Sequence, residues 1–123
     1  MNRYLSRLFF MTTLYGINNC DTVKKAKLWL EENGINYSFH DYKKAGIDKT
    51  TLKNWCGEFG WEALLNKRGT TWRKLDENLK ADINPTKAIA LMNEHTSLIV
   101  RPVLISGNQK LLGFDEKSWQ SLI

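Results

Sequence analysis

The stretch Leu14-Tyr15-Gly16-Ile17-Asn18-Asn19-Cys20-Asp21-Thr22-Val23-Lys24-Lys25-Ala26 sets one cysteine between an extended run and the start of a basic helical pattern. Thr12 to Gly16 reads as a short strand closed by glycine, and Ile17-Asn18-Asn19 as a loop. Val23, Ala26, Lys27 and Leu30 then recur at helical spacing, with Lys27 able to lay its stem on the surface. Asp21 suits the positive first turn of that helix. Asn33-Gly34 ends it, because both residues tolerate a left-handed backbone. A buried structural thiol has no need of such a junction; a reactive one does.

Working outward, Tyr37 to Asp41 reads as a second strand, and strand-helix-strand implies a right-handed crossover and a parallel pair. Lys43 to Gly46 reads as a loop, with Asp48 as the cap of a helix. Leu52, Trp55, Cys56 and Phe59 fall at i, i+3, i+4 and i+7, so Cys56 belongs to that helix's apolar stripe. Gly60 ends it, Trp61 to Leu65 adds one turn, and Asn66-Lys67-Arg68-Gly69 is a basic loop. Asn84-Pro85 opens a further helix, with Ala88, Leu91 and Met92 inward. After Arg101-Pro102, Val103 to Ser106, the turn Gly107-Asn108 and Lys110 to Gly113 read as a hairpin. Asp115 caps a last helix carrying Trp119, Leu122 and Ile123. The order predicts an α/β fold with a mixed four-stranded sheet. A helical insertion, at about residues 43–98, separates the second and third strands. Without that block the layout is thioredoxin-like.

A chain of 123 residues suits one domain, here read as 12–123. Residues 1–11 read as a disordered N-terminal extension, with Met11 as a candidate start. Five Trp, five Phe and 42% hydrophobic residues are enough to pack one core without staples. No run approaches the ~20 apolar residues of a membrane span. The two cysteines form no CxxC and no Cys/His cluster, so neither a disulfide framework nor a metal site is expected. That usage fits the reduced cytoplasm. The net charge of +5 suits nucleic acid, an acidic partner or an anionic substrate. The basic residues are scattered along the chain, which favours the substrate.

The thiolate is the reactive form of cysteine, and positive surroundings favour it. Cys20 is placed at a helix N-terminus, where unpaired N–H groups point outward. Lys24 lies one turn on, Lys25 adds charge, and Arg101 can approach from the far side of the sheet. The alternative is a capped, inert thiol. Cys56 reads as a small core residue, which leaves Cys20 to work alone. A lone thiolate that attacks a disulfide must be released by a second thiol from solution, and glutathione is the cytosolic candidate. No tightly bound cofactor is expected, and the chain is read as a monomer. Arg101-Pro102 reads either as an ordinary trans proline opening an edge strand or as part of the site. Asn66 to Gly69 can hold a carboxylate or oxyanion, or be a solvated turn. His40 and His95 each stand alone and receive no role.

Tyr15-Gly16, Cys20-Asp21-Thr22, Lys24-Lys25-Ala26, Trp29-Leu30, Ala63 to Gly69, Arg101-Pro102 and Gly113-Phe114, in this order, resemble the ArsC/Spx family, closest to its YffB-type branch. The resemblance runs from about Thr13 to the C-terminus. It implies a thioredoxin-like core with a helical insertion, and a cis proline at Pro102 that faces the cysteine and positions a peptide-like substrate. In the family's arsenate reductases one cysteine attacks arsenate and three arginines hold the oxyanion. Cys20 matches the cysteine and Arg101 one arginine; Asn66 and Gly113 stand where the other two are expected. YffB-type proteins imply glutathione-dependent thiol reduction. Cys20 would then be the nucleophile, and Lys24 and Arg101 would stabilise the thiolate and any bound anion. Asn19, Asp21 and Thr22 would shape the loop and offer backbone donors, and Arg68 would grip a glutathione carboxylate. Spx-type members imply RNA polymerase binding without catalysis; the second position of their CxxC pair is Val23 here.

Overall fold

The structure, a computed structural model, describes residues 11–123. The expectation of a disordered extension therefore lies, Met11 apart, outside the described residues. The chain forms two compact units. One joins the segment ending at Asp41 to Arg101–Ile123; the other is Tyr42–Val100.

The first unit is built on a sheet in the order β2-β1-β3-β4: β1 Thr12–Gly16, β2 Ser38–Asp41, β3 Val103–Ser106 and β4 Gln109–Leu112. β1 runs parallel to β2, with Gly16 opposite Asp41. It runs antiparallel to β3, with Tyr15 opposite Val103, and β3 pairs antiparallel with β4. The mixed four-stranded sheet expected from the sequence is what forms. Helix α1, Asp21–Glu32, is the crossover between β1 and β2. Its Val23, Ala26, Trp29 and Leu30 pack with Leu14, Leu104 and Trp119 in one core cluster. Leu14 and Leu104 are register partners, so they share one face of the sheet, and α1 covers it. Trp119 is 1% exposed and meets Trp29 and Phe114 edge to face, at centroid distances of 5.7 and 4.8 Å. Truncating such a side chain to alanine costs about 3–5 kcal/mol.

Between β2 and β3 lies the helical insertion, as expected. Its elements are α2 Tyr42–Ala45, α3 Lys49–Phe59, α4 Trp61–Leu64, α5 Thr70–Lys74, α6 Glu77–Lys80 and α7 Pro85–Glu94. The segment read as a loop from Lys43 instead makes the single turn α2, with Tyr42 buried at its start. The cap readings at Asp48 and Asn84 hold: the Asp48 carboxylate accepts from the Thr51 N–H at 2.7 Å, and Asn84 Oδ1 from the Lys87 N–H at 2.9 Å. Leu52, Trp55, Leu64, Ala88, Leu91, Met92, Leu98 and Ile99 are buried in this unit. A short bridge pairs Leu65 with Ile99.

The chain closes with α8, Glu116–Trp119, capped by Asp115, and a 3₁₀ turn to Leu122. Ile123, read as carried on that last helix, is 70% exposed, because the helical turns stop before it.

Candidate active site

Cys20 is the N-cap residue of α1, with extended backbone (φ −143°, ψ 122°). Its side chain makes no capping hydrogen bond, so the sulfur is not occupied in closing the helix. Closure comes from the backbone instead: the Lys24 N–H donates to the Cys20 carbonyl at 3.0 Å. The first N–H groups of a helix lack intrahelical acceptors, and the helix dipole adds partial positive charge at that end. Cys20 is half-buried and leans on the core cluster of the first unit. Asn19, Asp21, Thr22 and Lys24 surround it in the chain, all exposed.

Gly16 decides how close the helix mouth can come to the sheet. A Cβ added there would stand 2.7 Å from Val23 Cγ2, in a helix residue with no exposed surface. No larger residue fits unless the Val23 side chain or α1 itself shifts. The loop between them is tied down by side chains. Asn18 Nδ2 donates to Asp41 Oδ2 at 3.2 Å, and Lys27 Nζ donates to Asn18 Oδ1 at 3.1 Å. The same ammonium lies 3.7 Å from the centroid of the Phe39 ring. One asparagine thus joins the helix that begins beside Cys20 to the end of β2. Among these, only the packing of the Lys27 stem was signalled by the sequence.

Arg101 and Pro102 stand immediately before β3, and their peptide bond is cis. Because Tyr15 is opposite Val103, this pair lies at the end of the sheet from which the chain leaves β1 for Cys20. Pro102 is buried; its carbonyl accepts the Gly113 N–H at 2.7 Å. Arg101 is half-buried, with its Nε inside. The first unit therefore brings Asn19, Cys20, Asp21, Thr22 and Lys24 together, with Arg101 and Pro102 at the same end of the sheet.

Arg68 belongs to the second unit, exposed in the loop after α4. That loop is held by Asn66, whose Oδ1 accepts the Arg68 N–H at 3.0 Å and whose own N–H donates to the Leu98 carbonyl at 2.7 Å. Lys67 Nζ lies 5.6 Å from both the Trp61 and Trp72 ring centroids, so its charge is engaged with two indoles. Cys56 is a half-buried free thiol on α3, and burial pushes its pKa up. No cluster of three His, Cys, Asp or Glu side chains suited to a metal occurs among the described residues. None of the described helices is long and apolar enough to cross a membrane.

The family model described as the ArsC family matches residues 15–122. A Haemophilus influenzae protein with no assigned role is 45% identical over 111 residues, covering 90% of this chain and 97% of its own. The solved YFFB protein superposes with a TM-score of 0.88 at 50% identity, covering 90% of this chain and 97% of the other. At lower identity, the Bacillus subtilis global transcriptional regulator Spx is 28% identical over 109 residues, covering 86% of this chain and 82% of the regulator. With the sheet order, the cysteine at the helix mouth and the proline before β3 already in place, these matches settle the assignment: the chain belongs to the ArsC family.

Proposed function

We propose that this protein is a glutathione-dependent thiol-disulfide reductase that works through Cys20 alone. The observation that carries the reading is the Cys20 thiol at the mouth of a twelve-residue helix, free of any capping bond. In the first step the Cys20 thiolate attacks the glutathionyl sulfur of a mixed disulfide. The Cys20–glutathione bond forms, the substrate's S–S bond breaks, and the substrate leaves as a thiolate that takes a proton from water. In the second step a glutathione thiolate attacks the glutathionyl sulfur of the adduct. Oxidised glutathione leaves, and Cys20 returns as thiolate. Lys24 and Arg101 stabilise the thiolate forms, Asn19, Asp21 and Thr22 shape the loop, and Pro102 positions the peptide-like substrate. Arg68 is the weaker candidate for a glutathione carboxylate.

Two positions favour this over arsenate reduction. Gly113 has φ +75°, a conformation in which an arginine would be strained, and its N–H is committed to the Pro102 carbonyl. Asn66 is committed to shaping its own loop. Neither replaces an oxyanion-holding arginine in kind. The test is glutathione-dependent reduction of a small mixed disulfide, coupled to glutathione reductase. Wild type turns over, Cys20→Ser does not, and Cys56→Ser keeps most activity. Equal loss in both variants would replace the single-cysteine cycle by a Cys20–Cys56 disulfide cycle.

The likeness to Spx favours a second reading, a regulator that binds RNA polymerase without catalysis. It requires co-purification with the polymerase that survives Cys20→Ser, together with no turnover in the coupled assay.

A further inference from the structure

Within the second unit a cleft of 590 Å³ is lined by residues of α3, α4 and α7. Cys56, Trp61, Ile89 and Ala90 supply apolar surface, and Lys49 and Lys53 line it from α3. The two lysines are one helical turn apart, both exposed. Neither ammonium has an ion-pair or hydrogen-bond partner among the described residues, and no acidic residue lines the cleft. An apolar surface edged by two uncompensated positive charges is complementary to an apolar surface edged by carboxylates.

The shape narrows the occupant further. Small-molecule sites enclose most of their ligand. Here Lys49, Lys53, Gly57 and Ala90 are exposed, and Cys56, Trp61 and Ile89 are half-buried, so the cleft is an open trough. A trough bordered by helices suits an amphipathic helix laid along it, with apolar and charged anchors one turn apart. Gly57 agrees with this. It sits inside α3, where glycine weakens a helix, yet a Cβ there would meet nothing within 4 Å. The chain's own packing does not call for a glycine; an approaching backbone would.

We propose that this cleft is a docking surface for an acidic amphipathic helix of a partner protein. The partner's apolar face covers Trp61, Ile89 and Cys56, and two carboxylates one turn apart meet Lys49 and Lys53. The proposal is independent of the Cys20 chemistry.

The test uses the full chain carrying Cys20→Ser, which leaves Cys56 as its one thiol. A displayed library of helical peptides with randomised apolar and charged positions is selected on this protein. Cys56 alkylation at alkaline pH, where its raised pKa still allows reaction, reports occupancy. Recovered peptides should carry paired acidic residues one turn apart beside an apolar face. At saturation they should slow Cys56 alkylation about tenfold, and Lys49→Glu with Lys53→Glu should weaken them about tenfold. Changing the peptide's carboxylates to lysines should restore binding to the charge-reversed protein. Both lysines are exposed, and circular dichroism verifies that the variant is folded. Recovery of no peptide, unchanged Cys56 alkylation, or equal binding to the charge-reversed protein overturns the proposal. Protection by palmitate but by no peptide would overturn it in favour of a lipid. Protection that grows with protein concentration alone would overturn it in favour of a second copy.

Discussion

Gly16 and Val23 approach so closely that a single added carbon would collide: a Cβ on Gly16 would stand 2.7 Å from Val23 Cγ2. Gly16 is the last residue of β1 and Val23 lies in the first turn of α1, so their contact sets the distance between sheet and helix mouth. Gly16→Ala is expected to cost about 1–3 kcal/mol by overpacking. It should also lower kcat/KM by about tenfold, as the Cys20 thiol moves with its helix. Adding Val23→Ala makes room and should recover part of the turnover lost. A double variant as inactive as Gly16→Ala alone would mean that the contact does not place Cys20. Thermal melts and the coupled assay measure the two effects separately.

The Asn18 amide holds the loop through Asp41 and Lys27, and these bonds lie at the surface. Asn18→Ala should therefore cost only about 0.5–1.5 kcal/mol. Its larger effect should be on the loop: faster amide exchange at residues 17–19 and a several-fold loss of kcat/KM, roughly what a small misplacement of a reacting group produces. Asn18→Gln, with a longer arm, tests whether the amide or its placement matters. Unchanged exchange in Asn18→Ala would dismiss the brace.

Arg101 enters the proposal through the register that sets it at the Cys20 end of the sheet. Arg101→Ala should slow Cys20 alkylation at pH 7 by ~3- to 10-fold at low salt, with the difference shrinking as salt is added. Arg101→Lys keeps the charge and should keep most of the rate. An alkylation rate that ignores both substitutions removes Arg101 from the site.

Asp48 caps α3 through the Thr51 N–H, which holds its carboxyl below the usual aspartate range. The folded protein thus binds this proton less tightly than the unfolded chain. The stability it contributes is complete above the ordinary aspartate pKa, near ~3.9, and is lost as pH falls through the lower folded value. Asp115, held low by Ser118 and its helix N–H groups, acts in the same direction. Denaturation midpoints of wild type and Asp48→Ala should differ at pH 7 and converge only once pH falls below the ordinary aspartate range and through the lowered folded value. Curves that stay parallel through that window would show that the Asp48 charge is not what caps the helix.

Much of this architecture was legible in short-range patterns. Asp48, Asn84 and Asp115 act as caps because a side-chain oxygen reaches an N–H two or three residues on, a relation visible in the chain. The apolar spacing of Val23, Ala26 and Leu30 marked α1, and the Gly107-Asn108 turn marked the hairpin. The turns α2, α5 and α6 were not legible. They span four or five residues, too few to display a helical period, and so short a helix is stable only in tertiary context.

The sequence by itself determined that a cysteine would stand at the N-terminus of a helix between two parallel strands, because helix start, period and crossover are rules of neighbouring residues. Only the tertiary structure decided what surrounds that cysteine. Lys27 and Asp41 reach Asn18 across nine and twenty-three positions, and Gly16 meets Val23 only once the helix packs on the sheet. Arg101 and Pro102 join the same end of the sheet through an antiparallel register with a strand far earlier in the chain. Such contacts depend on how elements pack against one another, and residue spacing along one element carries no record of its partner.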